Sequence, residues 1–369
     1  MKVSIVGPVY PYRAGIAYCT TRLAEELAKH HQVDIVSFKR QYPAKFYPGG
    51  SDIDETLREK TPKNARFDVD IVRPLTWLGT AWRLRRSKPD AVVFVWWIWV
   101  WALPYLVMIA LLPRRTKVIL QCHNIGDKEP ARWKSWLTDR VLRRGDVLVV
   151  HAESELLQAS GRARGRRIVS ARLPVHELGG AMPFRDDAKR ALGLAGRNVA
   201  LFFGHLRPFK GLDLALRAWR DLRSDVVLLV AGEAWWESEA EYRTLAEGLE
   251  HVRLEFRFIP DAEIATYFAA ADVVLAPYRV EAQSGVILTA FHFGRAVIAA
   301  RVGGIPQIVQ DGRTGYLIPP ENPSGLAAAV DRFFQGSDRE KLEEGAREMA
   351  RKHSWEDYGN LLSRLVGQP

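Results

Sequence analysis

The chain has 369 residues, 47% of them hydrophobic and 26% charged, with a net charge of +10 and only two cysteines. That length exceeds what a single core organises, so two domains are expected, and the composition excludes collagen-like, low-complexity and disordered classes. Cys19 and Cys122 stand far apart in apolar settings and make neither a metal-ligand nor a disulfide pattern, which fits a reducing cytoplasm.

In chain order, the start MKVSIVGPVYPYRAG holds one lysine before a short β-like run ending in Gly-Pro, too short and too punctuated for a signal peptide. Apolar β-branched runs then alternate with amphipathic stretches: VSIV, a helix over 15–31, VDIVSF, AVVFV, a helix over 103–112, KVIL, a helix over 132–142, and DVLVV. Strands that are apolar on both faces, separated by helices long enough for a crossover, predict a parallel sheet covered on both sides. The stretch 91–112 is uncharged, lies between Asp90 and Arg114-Arg115, and is long enough to span a bilayer. Its first residues, however, occupy a strand's place in the alternation, and Pro104 suits the first turn of a following helix. A buried strand plus a buried helix is therefore expected, a reading compatible with Trp-rich contact to a membrane surface.

The stretch LPVHELGGAMPFRDDAK, rich in Pro and Gly and without a period, marks a boundary, giving domains 1–178 and 179–353 with a last helix over 354–369 returning to the first. Beyond it NVALFFG, DVVLLVAG, VRLEFRF, DVVLAPY and AVIAA read as strands, with helices over 212–222, 238–249, 261–270 and 285–293. The fold class is thus α/β, two doubly wound parallel-sheet domains. Charge divides unevenly: residues 1–180 carry 30 Lys and Arg against 17 Asp and Glu, the remainder 23 against 26. A basic first half suits an anionic partner such as lipid headgroups or a lipid-linked phosphate, and a merely solvated basic surface is the plain alternative. No nucleic-acid module accompanies the arginines, so nucleic acid is not expected as a partner.

Two groups in the second half could carry chemistry. A helix begins at Ser284-Gly285-Val286, with Ser284 as N-cap, and its first amides offer hydrogen bonds and partial positive charge to a phosphate. The strand NVALFFG runs into His205-Leu206-Arg207-Pro208-Phe209-Lys210-Gly211, placing two cations at a strand's C-terminal end, where ligands of open parallel sheets bind. They could neutralise a diphosphate leaving a sugar, as a metal does elsewhere. Each group alone also has a purely structural reading, a capped helix and a basic surface turn; their shared place in one domain's βα loops gives them weight.

The segments GHLRPFKGLDLALRA, AGE, FIPDAEIATYFAAADVVLAPY and QSGVILTAFHFGRAVIAARVGGIPQIVQDGRTGYLIPP resemble, in order, the retaining glycosyltransferases of family 4. GPVYPYRAGIA and the CHN tripeptide resemble that family's first domain. The resemblance implies a GT-B fold, with two Rossmann-like domains across a cleft, and a nucleotide-diphosphate sugar as donor. It implies that Arg207 and Lys210 hold the donor diphosphate, that the amides of Ser284, Gly285 and Val286 cap it, and that Gly232, Glu233, Arg257, Phe258 and Ile259 border the base. It places the loop Gly7 through Gly15, with Arg13, over the phosphates or the acceptor, Gly15 among the nucleotide-sugar-binding candidates, His123 by the transferred sugar and Glu281 as the first acid of an E-x7-E motif, so that His123, Arg207, Lys210 and Glu281 are the catalytic candidates. Tyr10, Arg13, His123 and Asn124 are the acceptor-side candidates. The second motif acid is Thr289 here, which is a poorer acceptor for ribose hydroxyls. His123 and Glu281 also have plain readings, as a satisfied core histidine and a solvated loop acid.

Asp52-x-Asp54 and Asp68-x-Asp70 mimic the metal-binding D-x-D of another glycosyltransferase fold but lie in charged, poorly patterned stretches. No metal or other cofactor is implied, and GPVYPYRAG is not the G-x-G-x-x-G of a dehydrogenase. The expected function is metal-independent, retaining sugar transfer to a lipid-linked or glycan acceptor in bacterial cell-surface glycan or glycolipid assembly. The expected location is the cytoplasm, at the inner face of the membrane. The alternative is a non-catalytic nucleotide-sugar-binding partner of another transferase.

Overall fold

In a computed structural model of the chain, residues 1–13, 15–42, 51–126, 131–177, 182–234, 238–280 and 283–368 are described. The chain divides into two compact units, one made of Met1–Leu173 with Trp355–Pro369, the other of Pro174–Ser354.

In the first unit, β1 (Lys2–Val6), β2 (Gln32–Arg40), β3 (Ala65–Asp70), β4 (Ala91–Trp96), β5 (Lys117–Cys122), β6 (Val147–Val150) and β7 (Arg167–Ser170) form one parallel sheet. The strand order is β3-β2-β1-β4-β5-β6-β7. Chain direction across the sheet reverses between β1 and β4, which creates a switch point at their C-terminal ends. Gly7, just past β1, has no room for a side chain, since a Cβ there would lie 2.7 Å from Val95 Cγ2 of β4. The apolar stretch 91–112 is β4, buried throughout, followed by a tight turn at Trp99–Trp101 and the helix Ala102–Leu111 with Pro104 in its first turn. No helix among the described residues is long and apolar enough to cross a membrane.

The last helix, Trp355–Gly367, packs on the helix Gly15–Ala28. The Trp355 indole donates to Tyr18 Oη at 3.2 Å, Gln121 Nε2 donates to Tyr358 Oη at 2.9 Å, and a Cβ on Gly359 would meet Glu26 Cβ at 2.7 Å. The glycine is what lets the two helices approach so closely.

In the second unit, β8 (Asn198–Phe203), β9 (Val226–Ala231), β10 (Val252–Glu255), β11 (Val273–Ala276), β12 (Ala296–Ala300) and β13 (Gly315–Ile318) form a parallel sheet in the order β10-β9-β8-β11-β12-β13. Its switch point lies between β8 and β11. One face of the sheet, including Phe202, Leu228 and Ile298, packs on Leu216 and Trp219 of the crossover helix Leu212–Arg220 and on Val330 and Phe333 of the helix Pro323–Gln335 that follows the last strand.

The two sheets are the doubly wound domains expected from the alternation, with differences at their margins. β3, β7 and β13 do not stand out as apolar runs, and β10 stops at Glu255 rather than running through 258. All four are edge strands; β3, β7 and β10 are partly solvated and so free to carry charged or polar residues, whereas β13 is four residues long, begins with glycine and is largely buried. The Asp68-x-Asp70 pair thus sits within β3 rather than in unpatterned chain. Asp70 is buried, accepts from Val72 N and faces Arg40 at 3.5 Å, while Asp68 pairs with Arg83. Asp54 caps a short turn through Thr56 N.

Candidate functional site

Loops that follow β8 and β11 meet at the second unit's switch point, and glycines dictate how closely. Past β8, Gly204 (φ 101°) packs backbone to backbone on Gly232 at the end of β9, where a Cβ would sit 1.9 Å from the Gly204 carbonyl oxygen. Gly211 (φ 74°) closes the loop 204–211 against the next one, since a Cβ there would lie 2.2 Å from the Pro277 carbonyl oxygen. Both φ values and both approaches demand glycine.

Arg279 staples the same junction. Its guanidinium is bidentate to Asp213 at 2.8 Å in each arm, donates to the Pro208 carbonyl at 2.6 Å and reaches Glu321 at 2.5 Å, while its amide donates to the Phe209 carbonyl at 2.8 Å. Burial alone would raise the Asp213 carboxyl; the Arg279 guanidinium more than reverses this and holds it below its usual range.

On this scaffold the half-buried Arg207 and Lys210 both stand beside Phe209, and Lys210 Nζ lies 4.0 Å from the centre of the buried Tyr278 ring. A ring face attracts a cation and helps to fix its position. Tyr278 in turn receives the Ser284 hydroxyl at 3.3 Å, and Ser284 Oγ accepts from Ile287 N at 3.4 Å, capping the helix Gly285–His292. Arg207, Lys210, Ser284, Gly285 and Val286 are therefore brought to one place, at a helix N-terminus on the sheet's C-terminal edge.

Other expected residues are placed unevenly. Gly232 and Glu233 adjoin this junction, with Leu206 N donating to the Glu233 carbonyl at 2.9 Å. Arg257, Phe258 and Ile259 follow β10, two strands away at the sheet's edge. There Arg257 pairs with Glu263 at 2.5 Å and donates to Tyr267 Oη at 2.8 Å. Burial and the Glu255 carboxylate push the Tyr267 phenol up to about 12. Thr289 is buried, and its hydroxyl donates to the Gly285 carbonyl at 2.8 Å within its own helix. Glu281 lies outside the described residues.

The remaining expected residues belong to the first unit. Tyr10 is buried, its amide donating to Thr21 Oγ1 at 3.1 Å. Arg13 binds the chain ahead of the turn at Glu55–Leu57, donating to the Asp52 and Ile53 carbonyls at 2.9 Å each. Gly15 opens the helix Gly15–Ala28. His123 and Asn124 follow β5; His123 N donates to the Trp96 carbonyl at 2.8 Å and Asn124 Nδ2 to that of Trp97 at 3.3 Å.

Two histidines outside the sequence reading complete these arrangements. His176 is buried against Gly285, whose missing Cβ would lie 2.6 Å from the imidazole Cε1, and burial pushes its pKa down to about 4, so the ring beside the helix N-terminus is neutral at pH 7. The His151 ring lies 5.3 Å from the His123 ring, donates through Nδ1 to the Ala171 carbonyl at 3.0 Å, and is likewise held near pKa 4 by burial. Neither carries a local signal: both contacts join segments remote in sequence.

Comparison with known proteins decides the family. The model of the family described as Glycosyl transferases group 1 matches residues 197–335, and that of the Glycosyl transferase 4-like domain matches residues 14–173. The chain belongs to the group 1 glycosyl transferases. A D-inositol 3-phosphate glycosyltransferase of Actinosynnema mirum is 34% identical over 247 residues, covering 62% of this chain and 59% of that protein. The chain spans about half the length of the curated relatives it matches, 43 to 59% for three of them. Solved structures superpose over nearly the whole chain. Sucrose-phosphate synthase of Thermosynechococcus elongatus has a TM-score of 0.78 at 18% identity, covering 100% of this chain and 99% of that one. HepE of Anabaena, solved with UDP and glucose, has a TM-score of 0.77 at 17% identity with 100% of both chains covered. At such identities these two are likenesses of fold, and they place both units within the GT-B architecture.

Proposed function

We propose that the chain is a metal-independent, retaining glycosyltransferase whose second unit binds a nucleotide-diphosphate sugar at the switch point between β8 and β11. The observation that carries the reading is the convergence of Arg207 and Lys210 with the Ser284-capped helix, held by the Gly211–Pro277 approach and the Lys210–Tyr278 contact. Two cations and a helix N-terminus at one spot suit a diphosphate, and they supply the charge that a bound metal supplies elsewhere. The UDP of HepE makes uridine the first nucleotide to try.

In the reaction the bond from the anomeric carbon to the phosphate oxygen breaks, its electron pair going to the diphosphate beside Arg207 and Lys210. The acceptor hydroxyl bonds to that carbon from the same face and its proton passes to the leaving phosphate. Gly15 belongs with the phosphate-side candidates, while His123, Asn124, Tyr10 and Arg13 are the acceptor-side candidates; Glu281 is kept as a donor-site acid. The basic first unit suits a lipid-linked or glycan acceptor of bacterial cell-surface assembly, reached at the inner face of the membrane.

Thermal-shift titration without metal tests the site: UDP or a nucleotide sugar should raise the melting temperature of the parent chain and not of the R207A/K210A double variant. An equal shift in both would overturn the assignment. A shift in the parent with no turnover of any donor, including hydrolysis, would favour the binding-partner reading, to which the back-bonded Thr289 hydroxyl lends support.

A further inference from the structure

Helices on the two faces of the first unit's sheet differ in kind. Right-handed crossovers put the helices Pro74–Ser87, Ala102–Leu111 and Arg132–Leu142 on one face, because β3, β4, β5 and β6 follow one another in one direction, and the helix Gly15–Ala28 on the other. The three helices pack side by side, and Arg85 Nη1 donates to the Leu111 carbonyl at 3.1 Å, joining the first to the second.

Large apolar side chains are exposed along this layer. Leu75 (82% exposed), Leu78 and Trp82 (59%) form one stripe at helical spacing, and Trp133 (53%) and Trp136 (54%) form another. Among the described residues of this unit, every large apolar side chain so exposed, except Met1, lies on this helical layer, including Glu153–Arg162, or on the turn into its first helix. A basic rim accompanies them. Arg86 lies 5.3 Å from the Trp82 ring and Arg140 4.5 Å from the Trp136 ring, while Lys134 sits over Trp99, itself edge-on to Trp133 at 4.6 Å. Helices Pro74–Ser87 and Arg132–Leu142 hold six Lys and Arg against one Asp. On the opposite face, Gly15–Ala28 and Trp355–Gly367 hold two Arg against four acids and no strongly exposed large apolar residue.

The geometry points to this layer as a docking surface for an anionic phospholipid bilayer, a deepening of the membrane-proximal acceptor proposed above. Tryptophan and leucine fit the boundary between headgroup and acyl chain, and arginine and lysine fit the anionic headgroups beside it. A lipid surface is favoured over a protein partner because the charge on helices Pro74–Ser87 and Arg132–Leu142 is nearly all of one sign, six Lys and Arg against one Asp, which suits a continuous anionic plane.

Sedimentation of the full chain with vesicles tests the inference. Vesicles of phosphatidylglycerol and phosphatidylethanolamine should carry the protein down and blue-shift its tryptophan fluorescence, and vesicles of phosphatidylcholine should not. Replacing Arg85, Arg86 and Arg140 by Gln should weaken that binding about a hundredfold, at roughly tenfold or less per cation. The W82S/W133S/W136S variant should lose it as well while retaining the parent's melting temperature and its response to nucleotide, because these side chains are exposed and lie outside the nucleotide unit. Equal binding to both vesicle types, no binding at all, or undiminished binding by the variants would each overturn the docking surface. So would a parent that self-associates with rising concentration where the tryptophan variant stays monomeric, since the layer would then be a contact between copies. Any of these results with the nucleotide response intact leaves the transferase reading standing, and loss of that response alone would overturn the latter and not the docking.

Discussion

The two switch points share a topology and differ in chemistry. Between β8 and β11 the loops carry Arg207 and Lys210, meet through Gly204, Gly211 and Gly232 at backbone distance, and present a capped helix N-terminus. Between β1 and β4 the loop from Gly7 carries the buried Tyr10 and Tyr12, and its one arginine, Arg13, is bonded to backbone carbonyls; nearby, His123 leans on the neutral His151. One wound sheet thus presents two cations beside a capped helix N-terminus, and the other a largely uncharged, aromatic turn. Topology chooses where a ligand sits, and the residues of the first turn choose what it is.

The sharpest way to break this contrast is to remove a cation from the second unit. Arg207→Ala or Lys210→Ala should each lower the rate of sugar transfer by roughly a hundred- to a thousandfold, the usual consequence of losing one group that stabilises charge developing in a transition state. Steady-state rates with a saturating donor would show it. A loss confined to KM would mean that the cations hold the donor equally in ground and transition states.

Next in size is the packing that brings the loops together. Gly232→Ala places a Cβ against the Gly204 carbonyl oxygen, with backbone on both sides and no flexible side chain to yield. A loss of about 2–3 kcal/mol in stability is expected, in keeping with the cost of overpacking, together with a weaker nucleotide-induced shift. Chemical denaturation of the variant with and without UDP would separate the two effects. A neutral outcome would mean that the turns at this switch point are adaptable rather than dictated by glycine.

A third test uses acid, and it acts on both units. His151 in the first and His176 in the second stay neutral because burial pushes each pKa down to about 4, whereas the unfolded chain takes up their protons near 6.5. A depressed folded-state pKa gives stability that is complete above about 6.5 and falls away as the pH drops toward 4. The slope is about 1.4 kcal/mol per pH unit for each histidine. His151→Gln and His176→Gln should each flatten that dependence in the unit that carries the change, as read by denaturation at a series of pH values. If neither alters the slope, the rings titrate in the folded chain where they titrate in the unfolded one, and the carboxylates govern acid sensitivity.

Much of this arrangement is legible in the sequence, and the illegible part has a physical pattern. Central strands such as β4 and β9 are apolar on both faces and stand out; β3 and β7 are partly wet edges masked by their aspartates and arginines, and β13 is a four-residue strand that begins with glycine. In the second unit, Arg207, Lys210 and Ser284 are visible because each follows a strand or opens a helix, so a local rule applies. The side chains that support them come from elsewhere: Tyr278 beneath Lys210, Asp213 and Glu321 gripping Arg279, His176 against Gly285. Such contacts join positions separated by tens of residues, and no periodicity announces them. The exposed tryptophans are a different case. The apolar and basic residues of 74–87 and 132–142 can be seen in the sequence, but only the folded helices show that they share a face.

The smallest expected effect concerns Thr289, where the family's second acid is replaced. Its hydroxyl donates to the Gly285 carbonyl one turn earlier and the side chain is buried, so this residue braces the helix N-terminus. Thr289→Val keeps the shape and removes the donor. Because a helical carbonyl already has its regular partner, the loss should be at most about 1 kcal/mol of stability, and nucleotide affinity should change by less than about threefold, an energy below that of one neutral hydrogen bond. Calorimetric titration with UDP measures it directly. A tenfold or greater loss of affinity with stability intact would show that the hydroxyl turns to the ligand on binding, and the donor site would then have recovered, with a weaker group, the contact that the missing acid makes elsewhere in the family. An unchanged affinity would instead leave the diphosphate, gripped by Arg207, Lys210 and the helix amides, as the dominant handle on the donor.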